Sequence, residues 1–160
     1  MEELELKIED LLNHGTYAVS LAECPSMEED FIYLSDEDET IELSTSEEGM
    51  VYGVAMIPNK RILRKKPDGT KYKIFASEET IKENAHLFFS RLQNNNATVA
   101  HEETVNDVSF VESWIVSDEK NDKAVALGLN AVKGAWVLGE KINTPQVKED
   151  IKLGKYKGFS

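Results

Sequence analysis

The charge of this chain changes sign near residue 50, and this change constrains its organisation more than any other feature. Residues 1–50 carry 16 acidic side chains and one lysine, a net charge of −15. Residues 51–160 carry 14 acidic and 17 basic side chains, a net charge of +3, and the whole chain carries −12. A split of this size is typical of an acidic arm joined to a nearly neutral domain. We therefore predict an arm over residues 1–48 and one folded domain over residues 49–160.

Composition excludes several classes of protein. A chain of 160 residues that is 41% hydrophobic can bury a single core without disulfide bonds. Cys24 is the lone cysteine, which excludes an internal disulfide framework and a multi-thiolate zinc site. No apolar run approaches the roughly 18 residues that span a bilayer, and Met1-Glu2-Glu3 is acidic where a secretory signal is basic. We expect a protein of a reducing cytoplasm, or of a particle assembled there, with no membrane partner.

The arm combines local order with long acidic stretches. Residues 16–22 suggest a short strand, and residues 24–48 are dominated by acids around an apolar island at 31–34 that could dock on the domain or on another protein. We expect the arm to be partly ordered at best in isolation. Apolar residues at helical spacing predict an N-terminal helix that ends at Gly15: Leu4, Ile8, Leu11 and Leu12.

The domain reads as strands with inserted helices, since turn signals separate short apolar runs. Pro67-Asp68-Gly69 predicts a hairpin over residues 62–74, and Ser77 and Thr144-Pro145 each begin a predicted helix. The fold class is therefore α+β, with a mainly antiparallel sheet or partly closed barrel and two or three helices. The other predicted strands cover residues 50–57, 97–100, 108–116, 123–129, 134–139 and 156–160.

Among the three histidines, His101 is the best candidate for chemistry. It follows a predicted strand and precedes two glutamates, and a histidine at a strand edge is a reasonable general base. His14 suits the end of the N-terminal helix, and His86 is expected to be a partly buried packing residue on the second helix. The only other metal-ligand types near His101 are scattered carboxylates, so we predict no metal site.

Nucleophile and cofactor motifs are missing from the sequence. There is no Gly-x-Ser-x-Gly elbow, no P-loop and no Gly-x-Gly-x-x-Gly, so we predict no cofactor. Two serines on predicted strands, Ser113 and Ser160, can be named, and Ser113 is read as part of a packed strand.

A basic hairpin over residues 60–73 holds seven cations and one acid. It is either a solvated hairpin or a partner for the acidic arm of the same or a neighbouring chain. Nucleic-acid binding is the weaker hypothesis, because the arm would compete for the same patch.

A series of short motifs follows this framework in a recognisable order. The series resembles the XkdF-type phage serine proteases, relatives of the capsid-maturation (prohead) proteases of tailed phages, over about residues 50–160. It comprises residues 51–57 with Asn59-Lys60, residues 75–81, Phe88-Phe89, residues 99–103, 111–116 and 133–141, and the ending Ile151-Lys152-x-Gly154-x-x-x-Gly158-Phe159-Ser160.

The resemblance implies a fold, an activity and a site. The fold would be a herpesvirus-assemblin-like β-barrel with helices, in which His101 matches the family's histidine and Ser160 the serine of its Gly-Phe-Ser. His101 would then be the general base and Ser160 the nucleophile of a protease that cleaves scaffold or capsid segments during head maturation. The implied partners are phage capsid or scaffold proteins and further copies of the chain, in the host cytoplasm during assembly and in the phage head.

The sequence departs from the family pattern at its end, because family members continue past this serine. We therefore expect the chain as written not to be a competent protease alone. It would be a self-processed remnant, a truncated fragment, or a protease-like domain kept for structure. The alternative function is a non-catalytic capsid-associated or head-completion protein that uses the same fold for binding.

Overall fold

The computed structural model describes residues 1–23, 32–34, 49–99 and 103–160 and confirms the α+β class. These residues form three α-helices, eleven short strands and one 3-10 helix at Gln93–Asn95. The helices are α1 (Glu78–Ser90), α2 (Lys123–Ala126) and α3 (Pro145–Lys152). The strands are β1 (Glu3–Leu6), β2 (Val19–Ala22), β3 (Ile32–Leu34), β4 (Met50–Met56), β5 (Ile62–Lys65), β6 (Lys71–Ala76), β7 (Ala97–Val99), β8 (Glu103–Thr104), β9 (Val108–Ile115), β10 (Trp136–Ile142) and β11 (Gly158–Phe159).

The strands form three separate sheets with the orders β1-β6-β5, β3-β4-β10-β9 and β11-β2-β7-β8. Two pairs of neighbouring strands, β1–β6 and β2–β7, are parallel, and the other pairings within the described ranges are antiparallel. None of these sheets closes into a barrel over the residues that the structure describes. The mainly antiparallel arrangement is thus confirmed, whereas the assemblin-like architecture stays a prediction.

The main core lies between the β4-β10-β9 sheet, the β2-β7-β11 strands and the helices α1 and α3. Phe88 of α1 is fully buried at its centre, with edge-to-face ring contacts to Phe110 at 5.9 Å and to Trp136 at 5.6 Å. Phe159 of β11 joins the same cluster through Phe110, with ring centroids 5.5 Å apart. The aromatic cluster therefore ties the last strand of the chain to the central sheet.

The opposite face of the β4-β10 pair is also buried. Val54 and Val137 pack there against Ala124 of α2 in a second apolar cluster, and Tyr52 packs with Leu127 in a third. A strand that is buried on both faces shows a continuous apolar run rather than alternation. This explains why residues 50–57 could be identified as a strand from sequence.

The predicted N-terminal helix is wrong. Glu3–Leu6 forms a strand that pairs in parallel with β6, from Glu3 opposite Lys73 to Leu6 opposite Ala76, and residues 11–13 form a turn. Three of the four residues of the predicted apolar stripe are exposed, Leu4 by 42%, Leu11 by 59% and Leu12 by 87%. Backbone pairing with β6 holds this segment as a strand instead.

The predicted strand at 123–129 is also wrong, because Lys123–Ala126 forms the short helix α2. Asp122 caps it by accepting a hydrogen bond from the backbone N–H of Ala124 at 2.8 Å. Gly128 ends it with φ of 78°, a conformation that glycine adopts without strain. An apolar run of this length cannot distinguish a strand from a buried helix.

Several other predicted elements are confirmed. Strands form within residues 16–22, 50–57, 97–100, 108–116 and 156–160, and β10 begins inside the stretch predicted at 134–139. The hairpin forms from β5 and β6, and Ser77 caps α1 through the backbone N–H of Thr80 at 3.2 Å. The apolar island contains β3, which pairs with β4, whereas Cys24 lies outside the described residues.

Candidate functional site

Ser160 directly follows β11, and both its backbone N–H and its carbonyl form hydrogen bonds with the neighbouring strand. Its N–H donates to the carbonyl of Ser20 at 2.9 Å, and its carbonyl accepts from the N–H of Ser20 at 2.8 Å. One residue earlier, Phe159 pairs with Leu21 and is fully buried. The backbone of Ser160 is therefore held in the sheet.

The strand that leads to His101 belongs to the same sheet. β7 pairs with β2 in parallel, with Thr98 opposite Ser20 and Val99 opposite Leu21. Since Ser160 pairs with Ser20 on the other side, β2 lies between the strand of Ser160 and the strand that precedes His101. His101 itself lies outside the described residues, so the structure tests neither its position nor its distance to Ser160.

A row of hydroxyl side chains crosses this sheet. Ser160 pairs with Ser20, Ser20 with Thr98, and Thr98 with Thr104 of β8. Directly paired residues share a face, and the alternation along each strand puts this row opposite Leu21 and the core. The hydroxyl of Ser20 is buried and lies 3.3 Å from the carbonyl of Leu21 and 3.4 Å from that of Thr98. Sequence reasoning missed this row because it depends on the register of four strands.

A buried carboxylic acid, Glu140, lies on the core side of the central sheet. It pairs with Val51 of β4 and Phe110 of β9, at the point where the β9–β10 register shifts. Its side chain is fully buried, and neither carboxyl oxygen has a hydrogen-bond partner within the part of the chain that the structure describes. Phe110, which pairs with Glu140, also contacts the ring of Phe159, the residue before Ser160. A single aromatic side chain therefore links the acid to the strand that leads to Ser160.

Burial changes the acidity of this group strongly. Loss of hydration raises the pKa of Glu140 from 4.5 to about 8, because a carboxylate without a cation or donor is costly inside a protein. Glu140 is therefore neutral in the folded protein at neutral pH. The signal in the sequence was an acid that directly follows the apolar run of residues 135–138 and Gly139. The irregular register at this point is of a kind that is common near functional sites.

A second polar cluster lies on the other side of the central sheet. Lys123 binds Glu112 at 2.9 Å, and its ammonium lies over the rings of Tyr52 at 4.6 Å and Trp114 at 5.7 Å. Gly139 allows this approach, since a Cβ there would be 2.8 Å from Cε1 of Tyr52. The ammonium group of Lys123 therefore has its partners within this cluster. No group of three or more metal-ligand side chains occurs in the described ranges.

The other serine and histidines named from the sequence lie outside the sheet of Ser160 and have no sign of a catalytic role among the described residues. Ser113 accepts a hydrogen bond from Nε1 of Trp136 at 2.9 Å, which agrees with its interpretation as a packed strand residue. His14 does not end a helix; its Nδ1 accepts from the backbone N–H groups of Glu9 at 3.2 Å and Asp10 at 3.3 Å in a turn. His86 is exposed on α1, so the expectation of partial burial is wrong.

Comparison with known proteins identifies the family. Residues 37–160 match the model of the family described as "Putative phage serine protease XkdF". The chain belongs to this family. The match includes both His101 and Ser160 and begins before residue 50, where the motif series begins. Searches of curated proteins and of solved structures found no match.

Membership makes this a phage protein related to serine proteases. None of the helices in the described part of this XkdF-family chain is long and apolar enough to span a membrane.

Proposed function

We propose that this protein is a serine endopeptidase of phage head assembly that cleaves scaffold or capsid-protein segments. Ser160 is the nucleophile and His101 the general base. Membership of the XkdF family supports the reaction class, and the backbone pairing of Ser160 in the sheet that contains β7 supports the choice of serine.

In the proposed reaction the imidazole of His101 takes the proton from the Ser160 hydroxyl while its oxygen attacks the carbonyl carbon of the scissile peptide. The tetrahedral intermediate collapses when His101 gives that proton to the departing amine, which leaves an acyl ester on Ser160. A water molecule, deprotonated by the same imidazole, then hydrolyses the ester and restores the serine.

The main support for Ser160 as the nucleophile is that its backbone is fixed by hydrogen bonds in the sheet. A nucleophile must stay within a narrow geometry, and two hydrogen bonds to Ser20 together with the buried Phe159 supply that restraint. By contrast, the hydroxyl of Ser113 is engaged by the Trp136 indole at 2.9 Å. This makes Ser113 a suitable control serine, since it also lies on a strand.

The test co-expresses the complete gene product that contains this chain with the capsid and scaffold proteins of the same phage. Ser160→Ala and His101→Ala should each lower cleavage about a thousandfold or more, whereas Ser113→Ala should retain it if the variant folds. A fluorophosphonate probe should add to Ser160 in the unaltered gene product and should react far more slowly in His101→Ala. Undiminished capsid or scaffold cleavage by His101→Ala, or labelling of a different serine, would overturn the assignment.

A second candidate is a capsid-associated protein that binds through this fold without catalysis. The observation that favours it is the exposed basic hairpin, in which Arg64, Lys65, Lys71 and Lys73 form no ion pair with any described residue. Phage carrying Ser160→Ala distinguishes the two roles. Normal heads with scaffold processing unchanged from the unaltered phage would favour binding, whereas arrested immature heads with uncut scaffold protein would favour the peptidase.

A further inference from the structure

The N-terminal strand β1 lies along the free edge of the basic hairpin. It pairs in parallel with β6, and the N–H of Lys73 donates to the carbonyl of Glu2 at 2.9 Å. Two ion pairs fix the register, Glu2 with Lys66 at 3.0 Å and Glu3 with Arg61 at 3.3 Å. The acidic strand β1 thus binds the basic hairpin through backbone hydrogen bonds and through opposite charges.

Among the described residues, few contacts besides this backbone pairing and the two ion pairs hold β1 in place. All four of its residues are exposed, and the side chains of both ion pairs are between 39% and 52% exposed, so water screens them and they contribute little. The segment that follows spans a cleft of about 390 Å³, lined by Ile8, Met56 and Asn84 among others, and does not fill it. A strand with so few buried contacts opens at a low free-energy cost.

The segment that connects β1 to the domain is attached at one end and is long enough to move. Arg91, the residue that follows α1, donates to the carbonyls of Leu11 and His14 and so holds the connection to the domain. Between that anchor at Leu11 and the end of β1 at Leu6 the chain can extend roughly 17 Å, at about 3.4 Å per residue. A released β1 can therefore cross to a neighbouring molecule while its own domain stays folded.

Release of β1 leaves an unpaired edge on β6. Such an edge readily pairs with another strand of suitable charge, and the segment that matches it is the N-terminal strand of a second copy. We propose that β1 is exchanged between copies of this chain, so that the β6 edge of one molecule binds Glu3–Leu6 of another. This proposal is independent of the peptidase role, because it uses none of the residues of that site.

The first test mixes unlabelled and ¹⁵N-labelled full chains and treats them with a zero-length carbodiimide. The reagent joins Glu2 to Lys66, and it also joins Glu112 to Lys123, whose 2.9 Å contact lies within one domain. We expect mixed-isotope Glu2–Lys66 products whose fraction rises with protein concentration, because exchange is bimolecular. The Glu112–Lys123 products should stay within one isotope. Single-isotope Glu2–Lys66 products at every concentration, or mixed products at both sites, would refute exchange.

A charge swap gives a second test. Glu2→Lys with Glu3→Lys, and separately Arg61→Glu with Lys66→Glu, should each release β1 and speed amide exchange at Lys73 about tenfold or more. Mixed together, the two variants are complementary in both directions, because the basic strand of the first fits the acidic hairpin of the second and the acidic strand of the second fits the basic hairpin of the first. They should therefore form a heterodimer in native mass spectrometry. The matched control mixes the first variant with Arg64→Glu and Lys65→Glu, changes on β5; this pair is complementary in one direction only and should give much less heterodimer. A mixture that stays monomeric, or a control that dimerises equally, would contradict the proposal.

Discussion

Replacing Glu140 by glutamine should make the protein more stable at neutral and higher pH, with a gain that depends on pH in a defined way. The folded-state pKa of Glu140 is about 8 and its ordinary value is 4.5. A raised pKa means that the folded state binds the proton more tightly, so this group favours folding below pH 4.5 and loses that contribution as pH rises towards 8. Over this window the free energy of unfolding falls by about 1.4 kcal/mol for each pH unit.

The magnitude follows from the same two values. At about pH 7 the folded protein pays about 3 kcal/mol for keeping this acid protonated, and above the folded pKa the cost levels off near 5 kcal/mol. Glutamine has nearly the same shape and does not titrate, so Glu140→Gln removes this cost. The unmet hydrogen bonds of its amide add a penalty that does not change with pH. For a domain of this size the neutral-pH gain corresponds to about 6–12 °C in Tm, less that constant penalty.

The assay is urea unfolding of both proteins across this pH range, with the difference in unfolding free energy plotted against pH. Subtraction cancels the other titrating groups, which both proteins share. Glu112→Gln on the neighbouring strand is the control, because it removes a carboxylate paired with Lys123 at 2.9 Å and should give no such gain. Parallel pH profiles for the unaltered chain and Glu140→Gln would show that the acid is solvated or paired, and the argument from burial would be wrong.

Three further substitutions test the packing that positions the site. Phe88→Ala removes the ring at the centre of the aromatic cluster and should lower the unfolding free energy by about 3–5 kcal/mol in urea titration; a loss below 1 kcal/mol would contradict its central role. Gly139→Ala places a methyl group 2.8 Å from Cε1 of Tyr52 and 2.9 Å from a carboxyl oxygen of Glu112, and should cost about 1–3 kcal/mol in thermal unfolding; an unchanged Tm would refute the close approach. Ser77→Ala removes the cap of α1 and should cost about 1 kcal/mol, whereas Ser77→Asp should restore most of it.

Part of the fold could be predicted because local chemistry determines it. The cap at Ser77 followed by two glutamates specifies the start of α1, and Pro145 at the first turn specifies α3. Pro67-Asp68-Gly69 specifies the turn of the hairpin, which forms as expected. The local reading failed at Leu4 and at Lys123, where short apolar patterns fit either a helix or a strand and a distant partner decided the outcome.

The sequence alone determined the family, through an ordered motif series, and the charge boundary near residue 50, because both are properties of residue order and composition. It also supplied His101 and Ser160 as a candidate pair, by resemblance. Only the tertiary structure decided that Ser160 pairs with Ser20, that four hydroxyls share one face, and that Glu140 is buried without a partner among the described residues. Such facts depend on strand register and burial, which arise from contacts between residues far apart in the chain.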